Sequence, residues 1–116
     1  MVGLRAPEIP EYIHHAAYKC YVFVDTEKLA KDWSRDRIMA SIIDLGVPCY
    51  SGSCSEVYLE KAFDNTKLSP PHRLPVTKEL GETSLMFLTH PTLTEQEIQL
   101  TCDVITKVMQ GAKEKR

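Results

Sequence analysis

The side chains best equipped for chemistry in this chain cluster between Cys49 and Glu56, where Tyr50, Ser51, Ser53, Cys54 and Ser55 surround Gly52. Small hydroxyl residues beside a glycine let backbone come close to a ligand, and each hydroxyl can both donate and accept a hydrogen bond. Ser53 and Glu56 stand at capping-box spacing, which predicts the start of a helix running to Phe63. The N–H groups at such a start would suit a phosphate or carboxylate, although ordinary capping is the commoner meaning of the spacing. At that helix start the Cys54 thiol would ionise more readily than a free cysteine, yet no local signature marks it as a catalytic nucleophile.

Other reactive residue types are scattered. Cys49, Cys54 and His72 form no familiar ligand spacing, so no metal site is read. Cys20 and Cys102 fall on apolar positions, where cysteine serves as a small buried hydrophobe. Arg35 and Arg37 read as the solvated first turn of a helix, and Arg73 as a surface arginine able to clamp a carboxylate bidentately. The adjacent His14 and His15 precede a strand and read as a solvated loop. No Ser/His/Asp or Cys/His signature and no glycine-rich phosphate loop is present, so no catalytic residue is assigned.

The elements that must position these groups follow from periodicity. Residues 18–24 alternate aromatic and β-branched side chains with apolar character on both faces, which predicts a central strand covered on both sides, Lys19 reaching water at its start. Trp33 anchors the polar connection after it. Ser34 caps a predicted helix through Leu45, with Ile38, Ile42 and Leu45 on its stripe and Met39 and Ile43 beside it. Gly46 and Pro48 stop that helix, and 47–50 reads as a short strand. The helix from Glu56 is expected to bury Val57, Leu59, Ala62 and Phe63 in some combination, and 64–73 reads as a loop over a site or interface. Pro75 opens a short helix that Gly81 would end, 84–88 is a further strand, and Thr94 with Glu97 caps a last helix whose stripe is Ile98, Cys102, Ile105 and Met109, with Thr101 and Val108. Gly111 would end that helix, and 113–116 is a solvated charge cluster. The sum is an α+β fold: a small mixed or antiparallel sheet of about three strands packed with helices, strands 18–24 and 84–88 pairing near its middle.

At 116 residues the chain makes one domain with a modest core. A net charge of −2 and a pI near 6.1 provide no basic footprint for nucleic acid. No apolar run reaches membrane-spanning length and no signal-peptide pattern opens the sequence, so a cytoplasmic protein without nucleic-acid or membrane partners is expected.

The ordered set HAAYKCYVFV (15–24), RDRIMASIIDLGVPC (35–49), YLEKAF (58–63) and RLPVTKELGETSLMFLTHPTLTEQEI (73–98) resembles the carboxy-terminal small domain of the DegT/DnrJ/EryC1/StrS aminotransferases. The resemblance implies a parent enzyme that uses pyridoxal phosphate to aminate a keto sugar, most often nucleotide-linked. Residues 1–11, with Pro7 and Pro10, would then be the interdomain lead-in and 12–116 the small domain, the large cofactor-binding domain being absent. No lysine here sits in a matching motif, so neither a catalytic nor a cofactor-binding residue is transferred, and the chain alone should be inactive and bind no pyridoxal phosphate. The implied partners are the large domain of the same polypeptide, a second subunit of a homodimer and the nucleotide sugar. Loop 50–55 falls where relatives carry a histidine-containing segment facing the sugar, which makes Tyr50, Ser53 and Ser55 the expected substrate-side groups, with His14 and His15 as weaker candidates. The histidine itself is missing. The alternatives are a stand-alone metabolite-binding module, or a relative without the Schiff-base lysine that acts as a dehydratase or regulator.

Overall fold

The computed structural model describes residues 1–113 of the chain. Its centre is an antiparallel three-stranded sheet in the order β1 (Leu4–Arg5), β2 (Lys19–Val24), β3 (Ser84–Leu88), joined by α1 (Arg35–Asp44), α2 (Pro75–Thr83) and α3 (Glu95–Ala112). The α+β reading therefore holds, with the sheet purely antiparallel. Strand β2 lies in the middle and pairs with β3 from Lys19 opposite Leu88 to Phe23 opposite Ser84.

Because side chains alternate along a strand, this register divides the sheet into two unlike faces. Val22, Val24, Leu85 and Phe87 turn to one side, where Ile38 and Ile42 of α1 and Val104, Val108 and Met109 of α3 complete the core. Tyr21, Phe23, Ser84 and Met86 turn to the other, towards α2 and the long excursion that precedes it. The local signals behind α1 and α3 are in place: the Ser34 hydroxyl accepts from the Arg37 N–H, and Thr94 and Glu97 form the full capping box. Gly46 ends the α1 region at φ +86°. Trp33 packs on the core cluster and carries the Arg37 guanidinium 4.5 Å from its ring.

Several expectations are corrected. Part of the expected lead-in joins the sheet: Leu4–Arg5 pairs with Val24 and Phe23, and Gly3 is buried against Met109. The expected strand 47–50 is reduced to a single bridge between Tyr50 and Met86. No α-helix spans 56–63: two short 3-10 turns, Val57–Leu59 and Lys61–Phe63, stand there with no buried residue and no side-chain cap. Gly81 does not stop α2. The helix continues to Thr83, and Ser84 begins β3 with no residue between them. Gly111 likewise lies inside α3. Ile43 and Leu45, expected beside or on the buried stripe of α1, are exposed. The expected charged tail begins at Lys113, which bridges to Leu29, and continues in residues that lie outside those described.

The largest correction concerns cover. Ile98 is 51% exposed, and Cys20 and Cys102 are exposed rather than buried. Only the second half of α3 packs on the sheet; its first half stands off and leaves an apolar groove of about 760 Å³ lined by Cys20, Val22, Phe87, Leu93, Ile98 and Ile105 among others. Strand β2 is thus central but covered on one side only partly. Among the described residues no helix is long and apolar enough to cross a membrane.

Candidate functional site

A second, polar cavity of about 560 Å³ opens between loop 50–55, the 3-10 turns and α2. Its lining is Ser51, Ser53, Cys54 and Ser55 on one wall, Glu56, Leu59, Glu60 and Lys61 on the next, and Lys78, Gly81 and Glu82 of α2 opposite. Loop 50–55 has neither helix nor strand to stiffen it, and its shape comes from the sheet below. Tyr50 exchanges two backbone hydrogen bonds with Met86, at 3.0 and 2.7 Å. The Ser84 hydroxyl donates to the Ser51 carbonyl. Tyr21 reaches up from β2 so that its hydroxyl lies 3.1 Å from Ser53 Oγ. That hydrogen bond, before any other influence, holds the Tyr21 phenol below its ordinary pKa.

Two glycines let the walls meet. Gly52 adopts φ +91°, and a Cβ there would lie 2.7 Å from the Tyr21 ring. Gly81 faces Ser55 so closely that a Cβ would overlap the serine hydroxyl. The role of Gly81 is close approach, which is why it sits inside a helix it was expected to end.

Glu56 explains the missing helix at 56–63. Its carboxylate receives Arg73 Nε at 2.7 Å and Nη2 at 2.5 Å, and the Tyr58 hydroxyl at 2.7 Å. Arg73 and then Tyr58 hold it down to about pKa 2. A side chain so engaged does not turn back to cap Ser53. The Tyr58 hydroxyl also accepts from the Leu74 N–H, and the Ser69 hydroxyl donates to the Tyr58 carbonyl, so the excursion is pinned to its own start. Arg35, expected as a solvated residue, instead points inward: Nη1 donates to the Gly81 and Ser84 carbonyls at 3.4 and 3.1 Å and ties α1 to the α2–β3 junction.

The sequence-predicted groups are therefore only partly assembled. Ser53 and Ser55 line the cavity, whereas Tyr50 is exposed and is not part of its lining. His14 and His15 lie on the exposed connection before β2 and line neither cavity; His15 Nδ1 accepts from the Ala17 N–H. Cys54 is exposed with its thiol 3.4 Å from Glu60, and no helix start lies beneath it, while burial pushes the Cys49 thiol up to about 11. Sequence reasoning missed Tyr21, Ser84 and Arg35, whose only signals are an aromatic and a serine on the second face of the strands and an arginine one residue past a cap.

Chemically, the cavity offers hydroxyls rather than net positive charge. Three carboxylates face two ammonium groups in its lining, with Lys78 3.7 Å from Glu82 and Glu56 already committed to Arg73. Such a wall suits a neutral, hydroxyl-bearing group, and the anion reading of this stretch falls with the helix that motivated it. The residues do not fit pyridoxal phosphate either. Schiff-base chemistry needs an enclosed amine facing a held cofactor. Among the described lysines only Lys19 and Lys113 are even part-buried, and the Lys19 ammonium lies 5.5 Å over the ring of exposed Tyr18.

Comparison with known proteins adds what the geometry lacks. The chain is 59% identical to an aminotransferase from Psychrobacter cryohalolentis solved by X-ray crystallography, with a TM-score of 0.86 over 94% of this chain and 29% of that one. The fold is shared with the aminotransferase TlmJ from Streptoalloteichus hindustanus at 19% identity and a TM-score of 0.75, over 95% of this chain and 27% of that one. It is also shared with a DegT DnrJ EryC1 StrS aminotransferase from Brucella abortus at 20% identity and a TM-score of 0.71, over 97% and 27%. No family model matches the chain, and no curated protein matches it. The chain thus spans less than a third of the length of the structures it resembles.

Proposed function

We infer function from one premise: the chain belongs with the DegT/DnrJ/EryC1/StrS aminotransferases, and as the carboxy-terminal small domain of such an enzyme it forms one wall of the cleft in which an amino group passes to a keto sugar carried on a nucleotide. The observation that carries this reading is the 59% identity to an aminotransferase across 94% of the chain. The hydroxyl-rich wall supports the sugar as the part of the substrate met here, with Ser53 and Ser55 of the lining as its contacts and exposed Tyr50, outside that lining, as a further one.

Pyridoxal phosphate belongs to the large domain of the same polypeptide, where it would carry the amino group between donor and acceptor. This chain alone binds none and is inactive. The apolar groove beside α3 is where the rest of that polypeptide packs, since over two thirds of a homologous enzyme lies outside the matched region and a groove of this size is otherwise left wet. A second subunit completes the cleft in a homodimer. Four free thiols suit a reducing, cytoplasmic compartment.

The test uses the full-length parent. Borohydride treatment followed by peptide mass spectrometry should place a phosphopyridoxyl group on a lysine outside residues 1–116, and incubation with glutamate and a nucleotide-linked keto sugar should yield the amino sugar. Absence of both the adduct and the product would overturn the reading.

A further inference from the structure

We propose that Tyr21 and Ser84, neighbours on the sheet face turned away from α1 and α3, are the positioning residues that fix loop 50–55 for its ligand. The inference rests on the reading that this loop faces the sugar acceptor, and it goes beyond it by locating what gives the loop its shape.

A run of small polar residues around a glycine has little stiffness of its own. Here it is held at three successive points by one patch of sheet. Tyr50 is bonded through its backbone to Met86, Ser51 through its carbonyl to the Ser84 hydroxyl, and Ser53 through its side chain to the Tyr21 hydroxyl. Gly52 lies directly over both anchors: a Cβ placed on it would be 2.7 Å from the Tyr21 ring and 3.5 Å from Ser84 Oγ. Register explains why these two residues act together, since Tyr21 opposes Met86 and Phe23 opposes Ser84, which puts Tyr21 and Ser84 on one face at diagonal positions. A serine hydroxyl donates one hydrogen bond while accepting others. Either hydroxyl can donate across the 3.1 Å contact with Tyr21, and in both arrangements the bond fixes where Ser53 Oγ lies while leaving it a donor or acceptor position for a ligand hydroxyl in the cavity. Tyr21 touches no ligand itself; it acts by setting where Ser53 points.

Tyr21→Phe in the full-length parent keeps the ring over Gly52 and removes only the hydroxyl. Loss of one such hydrogen bond should raise KM for the nucleotide-linked keto sugar roughly two- to tenfold. KM for the amino donor and kcat at saturating acceptor should not change. In a Ser53→Ala background the same substitution should add nothing, because the group through which Tyr21 acts is gone. Amide hydrogen exchange of peptides covering 51–55 should quicken in Tyr21→Phe and in Ser84→Ala. Unchanged acceptor KM with unchanged exchange would overturn the proposal, as would an equal rise in the KM of donor and acceptor or full additivity with Ser53→Ala. If the unsubstituted parent aminates no nucleotide-linked sugar, the reading of the parent fails. The exchange rates then decide the positioning role by themselves: quickening sustains it and no change refutes it.

Discussion

Replacing Gly81 by alanine sets two known effects against each other, and the structure decides which wins. Gly81 lies in the interior of α2, Pro75–Thr83, where alanine is favoured over glycine by about 1 kcal/mol. Against this, the new Cβ would fall on the Ser55 hydroxyl and 3.2 Å from Ser55 Cβ. The hydroxyl can rotate away, but the Cβ belongs to a loop whose Ser51 and Ser53 are tied to the sheet, so relief requires the loop to shift. Forcing an extra carbon into a tight contact costs about 1–3 kcal/mol. Gly81→Ala should therefore be neutral to destabilising by about 2 kcal/mol. In a Ser55→Gly background the obstacle is gone, and the same change should stabilise by about 0.5–1 kcal/mol. Denaturant unfolding of the four variants measures the coupling, expected at about 1–3 kcal/mol. If Gly81→Ala stabilises the protein with Ser55 in place, or gives equal changes in both backgrounds, the close-approach role of Gly81 is wrong.

Other tests are independent of this one. Arg73→Gln removes the partner that holds Glu56 down to about pKa 2 from its ordinary 4.5. A carboxyl with a lowered folded pKa adds stability above its unfolded pKa and loses it as pH falls, so the Tm gap between the parent chain and Arg73→Gln should be full above about pH 5 and close between about pH 4.5 and 2. A pH-independent gap would show that the pair contributes through packing alone. Thiol labelling at pH 7 should spare buried Cys49 in every form. In the isolated chain Cys20, Cys54 and Cys102 should all react, whereas in the full-length parent Cys20 and Cys102 should be protected by whatever fills the groove. Equal labelling of Cys20 and Cys54 in the parent would argue against that cover.

What the sequence made legible was local. Strand β2, helix α1 with its Ser34 cap and the Thr94–Glu97 box are specified by residues within a few positions of one another, and they form as read. The misreadings share the opposite cause. Glu56 matches a capping box with Ser53, but its competitor Arg73 is seventeen residues away and binds it in two places. Gly81 looks like a stop until Ser55 is known to press on it. Ile98 and Cys102 have the spacing of a buried stripe, and nothing among the described residues covers them. Strand β1 is two residues long, too short for periodicity to reveal. At the site, the hydroxyls of loop 50–55 were legible by type, while Tyr21 and Ser84 were invisible because their roles depend on strand register rather than on neighbours in sequence.

The direct passage from Thr83 into Ser84 gives the molecule a joint without slack. A loop between helix and strand would absorb rotation; here torque on α2 is delivered straight to the peptide of Ser84, which Arg35 grips from α1. The serine loop touches both arms of this lever, Ser55 against Gly81 on the helix and Ser51 on Ser84 of the strand. Inward pressure on the loop is therefore shared between the helix, through Ser55 on Gly81, and the start of the strand, through Ser51 on Ser84, so the two arms feel the same load.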